Sequence, residues 1–178
     1  MKELETARLI LRKFKEDDLA AVHSYASCAE NLVYMTWGPN SEDQSRDFIK
    51  REMAKAQEDK EHNYAIILKE NNSLIGGCGL SLDEDKAEIG WLLHRDHWGR
   101  GYCTELGREL LRLGFEELKL HRIVARCDSE NIESYRVMEK IGMRREGLFI
   151  ESRPPHKKSG RKYSDELRYA ILAREWRI

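Results

Sequence analysis

The stretch His97-Trp98-Gly99-Arg100-Gly101-Tyr102-Cys103-Thr104-Glu105 lies between a strand-like segment, residues 87–93, and a segment with helical periodicity. Glycine tolerates positive φ and lets the backbone approach a ligand closely, so the two glycines suit a tight ligand-binding turn. The first N–H groups of the following helix have no partners within that helix and lie at the positive end of its dipole. The stretch therefore predicts an anion-binding loop, most naturally for a phosphate group.

Length and charge limit the kind of protein that this chain can be. It has 178 residues, and we expect residues 1–178 to form a single domain with a substantial core. Charged residues make up 35% of the chain but the net charge is only −1, which argues against nucleic acid or an anionic membrane as the main partner. No apolar run approaches the roughly 20 residues of a membrane span, and the N-terminus lacks the apolar core of a signal peptide. These features predict a cytoplasmic protein.

The cysteines and histidines do not have the spacing of a metal site. Cys28, Cys78, Cys103 and Cys127 form no Cys-x-x-Cys pair, and the six histidines are scattered. A disulfide framework is not expected in a chain of this class. We interpret each cysteine as a small buried hydrophobic residue and predict no metal.

The rest of the chain alternates between strand-like and helix-like segments. Strands are predicted at 8–12, 64–69, 74–81, 87–93, 123–127, 144–150 and 165–176. Helices are predicted at 19–27, from the capping box at 41–44 to about 58, at 103–118, and from a cap at 128–131 to 140. This order predicts an α+β fold with helices on the faces of one sheet. Gly76, Gly77 and Gly79 predict a kinked strand that another backbone or a ligand approaches closely.

Four motifs occur along the chain in a fixed order. They are Glu5-Thr6-Ala7-Arg8-Leu9-Ile10-Leu11-Arg12, Ala87-Glu88-Ile89-Gly90-Trp91, Trp98-Gly99-Arg100-Gly101-Tyr102-Cys103-Thr104-Glu105, and Asn131-x-x-Ser134 followed by Glu139-Lys140-x-Gly142-Met143. Together they resemble the GNAT superfamily of acetyl-CoA-dependent N-acetyltransferases, and in particular its RimJ/RimL branch of ribosomal-protein-alanine N-acetyltransferase-like enzymes. The resemblance covers nearly the whole chain. It implies the GNAT fold, a mixed and mostly antiparallel central sheet of about seven strands flanked by about four helices.

The same resemblance implies acetyl-CoA as cosubstrate and the glycine loop as its pyrophosphate site. A P-loop would need Gly-Lys-Ser/Thr after the glycines, and a dinucleotide fold would place its glycines near the first strand. Here successive N–H groups suit a pyrophosphate, and the arginine between the glycines adds a charge-assisted contact. The family holds pantetheine along the preceding strand. The implied cofactor-binding residues are Leu92, Leu93, His94, Trp98, Gly99, Arg100, Gly101, Tyr102, Cys103, Thr104 and Asn131.

Two of these positions, Asn131 and Cys103, have a second interpretation. Asn131 matches a cofactor contact in the family, and its other interpretation is a helix N-cap. Cys103 stands where the broader family has a small residue. Its thiol lies near a helix N-terminus, which favours a lowered pKa. We favour a packing role for Cys103 over a covalent one.

Acetyl transfer to an amine requires a neutral amine, a polarised thioester carbonyl and a proton for the departing thiolate. A backbone N–H near Leu92 can polarise the carbonyl without any side chain. Glu88 is the candidate base because relatives in the branch carry a Glu there; the alternatives are a solvated Glu88 and a base acting through water. Many family members use a Tyr as acid at the position of Met138 here. The resemblance therefore implies Ser134 as the acid, with plain helix surface as its alternative.

The acceptor is predicted to be the N-terminal α-amine of a protein or peptide. An α-amine with a pKa of about 8 is roughly one-tenth neutral at pH 7, whereas a lysine amine, with a pKa of about 10.4, is far less so. A site with little acid–base machinery suits the α-amine. Tyr34 and Trp37, in the loop between the first two helices, are the candidate acceptor-binding residues, with packing as the alternative.

Two other functions stay open on the sequence alone. One is acetylation of a small-molecule amine such as a polyamine, an amino acid or an antibiotic. The other is a non-catalytic acyl-CoA-binding regulator, because Met138 replaces the usual Tyr. The last strand is expected at an exposed edge of the sheet, where it offers pairing for a homodimer.

Overall fold

The computed structural model describes residues 2–55, 61–156 and 160–177. Its strands are β1 (Leu4–Glu5), β2 (Leu9–Arg12), β3 (Glu61–Leu68), β4 (Ser73–Asp83), β5 (Lys86–Leu93), β6 (Arg122–Asp128), β7 (Arg144–Arg153) and β8 (Ser164–Leu172). Its helices are α1 (Leu19–Ala26), α2 (Glu42–Lys55), α3 (Tyr102–Arg112) and α4 (Ile132–Lys140). The end predicted for the second helix, residues 56–58, lies outside the described residues.

The strands form one mixed sheet with the order β1-β2-β3-β4-β5-β6-β8-β7. All neighbouring pairs are antiparallel except β5 and β6, which run parallel. The predicted α+β architecture is confirmed. The eighth strand, absent from the sequence prediction, is the two-residue β1, which is too short to show a period of its own.

Two apolar layers cover the sheet, one on each face. Helices α3 and α4 pack on one face, where Leu106, Leu110 and Met138 are among the most deeply buried side chains. Helices α1 and α2 pack on the other face, where Val22 and Ile49 are buried. Successive strand residues point to opposite faces, so each strand contributes alternate side chains to the two layers.

A slot opens between β5 and β6. The two strands pair only at Lys86↔Arg122, Ala87↔Ile123 and Glu88↔Val124. Beyond Glu88, β5 stays paired with β4 as far as Leu93, and β6 stays paired with β8 as far as Asp128. The two halves of the sheet therefore diverge, and a V-shaped opening connects its two faces.

The expected position of the last strand is wrong. Strand β8 lies between β6 and β7, so the edges of the sheet are β1 and β7. Residues on both faces of β8 are buried, including Tyr169, Ala170 and Ile171, which is typical of a central strand. A homodimer through an exposed last strand is therefore not available to this fold.

The close backbone approach predicted for the glycines of β4 is confirmed at Gly76. A Cβ at this position would overlap the Leu92 carbonyl oxygen and lie 2.9 Å from the Leu93 Cα. The β3–β4 register also shifts here, between Ile66 and Ile67. Glycine thus lets β5 pack closely against β4 at the end that borders the slot.

The segment before β2 is tied to the beginning of α3. The Glu105 carboxylate, in the first turn of α3, accepts hydrogen bonds from Thr6 Oγ1 at 2.5 Å and from the Arg8 backbone N and Nε at 2.7 Å each. The Arg8 guanidinium also donates to the Arg100 carbonyl at 3.0 Å and lies 4.5 Å from the centroid of the Tyr102 ring. These contacts fix the N-terminal segment against the glycine loop.

Glu105→Gln tests this link through its pH dependence. Burial alone would raise the pKa of Glu105, but hydrogen bonds from Thr6 and Arg8 outweigh it and hold the pKa below its ordinary value. A carboxylate with a depressed pKa stabilises the fold above its unfolded pKa and loses that contribution as the pH falls through its folded pKa. We expect Glu105→Gln to lower the free energy of unfolding by about 1–2 kcal/mol at pH 7 and to cost progressively less below about pH 4.

Urea unfolding at several pH values measures the difference. Glu42→Gln is the control, because Glu42 forms an exposed ion pair with Arg46 on α2. We expect this substitution to lower the free energy of unfolding by less than about 0.5 kcal/mol. A Glu105→Gln penalty that is the same at neutral and acid pH would contradict the role of the ionised carboxylate.

Candidate active site

The glycine loop has the backbone conformation that its sequence predicts. Gly99 and Gly101 have φ values of 72° and 80°, in the left-handed region that favours glycine. Gly101 is the N-cap of α3, and no side chain among the described residues caps this end. The first hydrogen bond of the helix runs from Glu105 N to Gly101 O at 3.1 Å. The amides of Tyr102, Cys103 and Thr104 therefore have no acceptor within the helix.

Contacts from neighbouring segments hold this loop in place. The Trp98 indole N–H donates to the Leu93 carbonyl at 2.9 Å, although the Trp98 side chain is half exposed. The Arg95 amide donates to Oδ1 of the buried Asn31 at 2.9 Å, and Asn31 Nδ2 donates to the Tyr25 carbonyl. Arg8 and Asn31 were absent from the predicted site. The opening Glu-Thr-x-Arg-Leu motif was the available signal for Arg8, and no local pattern marks Asn31.

The ladder between β4 and β5 decides which amides of β5 are free to face the slot. His94 N donates to the Ile75 carbonyl on β4 at 2.8 Å. Since antiparallel ladders repeat every two residues, the Leu92 amide also points to β4, opposite Gly77. The amides of Trp91 and Leu93 point the other way, into the slot. Of the amides near Leu92, those of its two neighbours therefore have the direction that the expected contact with a carbonyl requires.

The Cys103 thiol does not have the lowered pKa that its position near a helix N-terminus favours. Burial raises the pKa of the Cys103 thiol to about 12. The side chain packs against the apolar core that α3 covers. The desolvation of a thiolate at that position outweighs the favourable effect of the helix N-terminus. The interpretation of Cys103 as a packing residue fits this environment.

A cavity of about 760 Å³ lies on the α1 and α2 face, beside β4 and β5. Its wall is rich in aromatic side chains and contains two carboxylates. The aromatic residues are Phe14, Tyr25, Trp37, Phe48 and Trp91, and the carboxylates are Glu52 and Glu88. The Glu88 carboxylate accepts a hydrogen bond from Arg126 Nε at 2.7 Å, and Arg126 also borders the cavity. The structure thus brings two predicted residues, Glu88 and Trp37, to one cavity.

Tyr34 does not line this cavity. Its ring packs edge-on against His156, with the ring centroids 5.1 Å apart, and its carbonyl accepts a hydrogen bond from Arg153 at 3.0 Å. Burial raises the pKa of the Tyr34 hydroxyl, and the nearby carboxylates of Glu133, Asp128 and Glu130 raise it further. Tyr34 therefore lies on the side of α4, apart from Trp37.

Glu52 is a buried carboxylate that the sequence analysis did not identify. It is 8% exposed, and Oε2 accepts a hydrogen bond from Asn63 Nδ2 at 2.6 Å. A Cβ at Gly79 would overlap the Asn63 side-chain oxygen, so the glycine makes room for this amide. Helical spacing was the available signal, because Glu52 follows Phe48 by four residues and Ile49 by three.

The other face of the slot carries the start of α4. Asn131 Oδ1 accepts a hydrogen bond from Ser134 N at 3.1 Å, which confirms the N-cap interpretation of Asn131. Burial raises the pKa of the Cys127 thiol to about 12, opposed by Arg153 and by a hydrogen bond with the Ser134 side chain. Met138 is 2% exposed, so a buried core methionine stands where the family resemblance led us to expect a Tyr. Ser134 and Glu88 thus lie on opposite faces of the sheet, beside β6 and β5.

Three further observations concern the described residues as a whole. None of the helices within them is both long and apolar enough to cross a membrane. They contain no group of three His, Cys, Asp or Glu side chains arranged to hold a metal ion. Cys78 and Cys127 are buried as predicted, whereas Cys28 and Cys103 are partly exposed.

Comparison with known proteins identifies the family. Residues 8–144 match the family model described as an acetyltransferase (GNAT) domain. YnaD, an uncharacterized N-acetyltransferase of Bacillus subtilis (strain 168), is 38% identical over 175 residues, which cover 97% of this chain and 98% of the relative.

Solved structures share the fold over nearly the whole chain. An acetyltransferase of the GNAT family from Bacillus anthracis is 39% identical and has a TM-score of 0.87, covering 98% of this chain and 100% of its own. RimL, a ribosomal alpha-N-protein acetyltransferase solved with coenzyme A, has a TM-score of 0.84 over 96% of this chain and 98% of its own. At 20% identity, the likeness to RimL shows the shared fold alone. The matched model spans most of the sequence, and this chain belongs to the GNAT family of acetyltransferases.

Proposed function

We propose that this enzyme transfers the acetyl group of acetyl-CoA to the N-terminal α-amine of a protein or peptide by direct attack on the thioester. The observation that carries the proposal is the slot between β5 and β6, with the free amides of the glycine loop beyond one end and the aromatic cavity on one face. The slot gives the thioester access to both faces of the sheet. The amine can then approach from one side while the thiolate leaves on the other.

In this proposal the glycine loop binds the pyrophosphate of CoA. The amides from Gly99 to Thr104 supply donors at the positive end of α3, and Arg100 adds a charge. Pantetheine runs along β5, where the amides of Trp91 and Leu93 point into the slot. One of these amides donates to the thioester oxygen and stabilises the negative charge that develops on it. Asn131, with Oδ1 used as the cap of α4, has its amide nitrogen available for the cofactor.

Glu88 and Ser134 carry the proton transfers. The amine nitrogen forms a bond to the thioester carbon while the carbon–sulfur bond breaks. Glu88, directly or through water, takes the proton that the nitrogen loses, and the Ser134 hydroxyl gives a proton to the thiolate. The two side chains lie on opposite faces of the slot, which matches the opposite directions of attack and departure.

The small amount of acid–base machinery beside the slot supports an α-amine as acceptor. The Glu88 carboxylate is already engaged in an ion pair with Arg126, whose Nε lies 2.7 Å from Glu88 Oε1. The gap of about 2.4 pKa units between a lysine amine and an α-amine corresponds to roughly 3 kcal/mol of additional deprotonation cost. A site whose candidate base is already paired suits the amine that costs less to deprotonate.

A second candidate acceptor is a small cationic amine. The buried carboxylate of Glu52 in the acceptor-side cavity favours it, because a carboxylate attracts an ammonium group. Solved proteins of this fold include acetyltransferases for a ribosomal protein and for spermidine, and at their low identity they do not distinguish the two candidates.

A thiol-release assay with a panel of acceptors tests the proposal. We expect acetyl-CoA-dependent release of CoA with short peptides that have a free N-terminus, and none with the same peptides after N-terminal blocking. Mass spectrometry places the acetyl group on the α-nitrogen. Turnover of polyamines but not of peptides would establish the small-amine function instead. Tight acetyl-CoA binding without turnover of any amine would show a non-catalytic acyl-CoA-binding protein.

Gly101→Ala tests the pyrophosphate loop. A side chain at φ 80° is strained by about 1–2 kcal/mol, so the loop shifts and its amides lose their alignment. We expect the KM for acetyl-CoA to rise about tenfold while the KM for the acceptor changes little. Gly142→Ala is the matched control, because Gly142 also has a positive φ, 91°, but ends α4 away from the loop. Equal effects of the two variants on the acetyl-CoA KM would contradict the loop assignment.

Ser134→Ala and Glu88→Gln test the proposed proton transfers. Since general acid or base catalysis contributes about a hundredfold or more, each variant should lower kcat by at least that factor and leave the acetyl-CoA KM near the wild-type value. Ser129→Ala, close to the start of α4, is the control. An unchanged kcat in either variant removes that residue from the mechanism, and water then takes its place.

A further inference from the structure

The cavity beside β4 and β5 holds two carboxylates with different surroundings. Glu88 forms an ion pair with Arg126 at 2.7 Å. Glu52 is more deeply buried, and its hydrogen bond comes from the neutral amide of Asn63. None of the ion pairs that join described residues to one another includes Glu52. The cavity thus has one carboxylate that is paired with an arginine, Glu88, and one whose hydrogen bond comes from a neutral amide, Glu52.

A buried carboxylate in this position is a favourable site for a cation. A single hydrogen bond from a neutral amide replaces only part of the water contacts that a carboxylate loses on burial. Phe14, Tyr25 and Phe48 border the same cavity and limit hydration near the carboxylate. Arg51 also borders the cavity but is exposed. A cation supplied by a bound ligand would complete the site, and the aromatic faces nearby favour the same charge.

The sheet register gives the approximate distance from Glu52 to the reacting centre. Asn63 on β3 pairs with Gly79 on β4, and Gly79 pairs with Gly90 on β5. Neighbouring strands are about 4.8 Å apart, so the row from Asn63 to Gly90 spans about 10 Å. The Asn63 side chain lies above Gly79, part of the way along this row. The Glu52 carboxylate therefore lies roughly 5–10 Å from β5, a distance spanned by about four to seven single bonds.

We propose that Glu52 binds a second cationic group of the acceptor, four to seven bonds from the nitrogen that is acetylated. This inference rests on the proposed acetyltransferase function. The nitrogen that attacks must be neutral, so a carboxylate in direct contact with it would hold the wrong protonation state. A carboxylate at a distance instead supplies binding energy from a part of the acceptor that does not react.

Two kinds of acceptor carry this chemistry. In a peptide that begins with lysine, the side-chain ammonium lies six bonds from the α-nitrogen. In 1,4-diaminobutane the two nitrogens are five bonds apart. Each has a partner of similar shape that lacks the second charge: a peptide that begins with norleucine, and n-pentylamine. Comparing the two pairs shows whether the cation belongs to a basic N-terminal residue of a peptide or to a small diamine.

The experiment measures kcat/KM for both pairs with wild-type enzyme and with Glu52→Gln. We expect wild-type enzyme to prefer the dicationic member of at least one pair by about tenfold to a hundredfold, because a hydrogen-bonded charge pair contributes about 1.5–3 kcal/mol. In Glu52→Gln the preference should fall toward unity through a higher KM for the dication. Glu42→Gln, an exposed position on the same helix, should keep the wild-type preference. Thermal melting checks that Glu52→Gln is folded.

The outcomes distinguish this inference from the proposed function. A preference in either pair that depends on Glu52 supports the inference and identifies the source of the cation. Equal turnover of both members by wild-type enzyme, or a preference that survives in Glu52→Gln, overturns the inference and leaves the acetyltransferase function intact. If no amine is acetylated, the proposed function fails, and calorimetric titration of 1,4-diaminobutane into the CoA complex decides the inference. Binding that Glu52→Gln abolishes supports it, and binding that is absent or unaffected overturns it.

Discussion

The structure of the site depends on the separation of β5 and β6 after three paired residues. Each strand remains fully paired on its other side, β5 with β4 and β6 with β8, so the sheet opens without losing its outer ladders. The opening leaves the amides of Trp91 and Leu93 without a neighbouring strand. Unpaired backbone donors at the inner edge of a sheet are costly unless water or a ligand satisfies them. The same divergence that interrupts the sheet thus creates a binding surface for an extended, hydrogen-bonding ligand.

The elements around the slot are arranged to keep it in one geometry. Glu105 connects the N-terminal segment to the first turn of α3, and Arg8 extends this connection to the carbonyl of Arg100. Trp98 connects the loop back to the last residue of β5. The glycine loop is therefore supported from two sides before any ligand binds. Preorganised amides lose less entropy on binding than amides in a mobile loop, which favours tight and specific binding of the donor substrate.

Much of the fold and the conformation of the glycine loop could be predicted from the sequence because the signals are local. A tight passage from a strand into a helix requires residues with positive φ, and Gly99 and Gly101 supply it. The motifs around these glycines occur along the chain in the same order as in the family. The position of β8 could not be predicted, because strand order depends on pairings between distant segments. Which amides of β5 face the slot also could not be predicted, since this depends on the register with β4. For Cys103, a favourable local position at the helix N-terminus was outweighed by burial, which only the packed structure reveals.

The proposed acceptor side of the site was harder still to predict from the sequence. Glu52 lies at helical spacing from Phe48 and Ile49, yet a charged residue among apolar ones is ordinarily interpreted as the exposed face of a helix. Its burial depends on Asn63 and Gly79, which belong to strands well separated from it in sequence. The proposed donor half of the site is therefore encoded in contiguous motifs. The proposed acceptor half is assembled from single residues on α2, β3 and β4 that no motif connects.

A crystal structure of the enzyme with CoA bound is the decisive test of the proposed site. We predict the pyrophosphate against the amides of residues 99–104, pantetheine hydrogen-bonded to the amides of Trp91 and Leu93, and the sulfur in the slot between β5 and β6 near Ser134. A CoA molecule whose sulfur lies outside that slot, or whose pyrophosphate is bound away from the glycine loop, would contradict it.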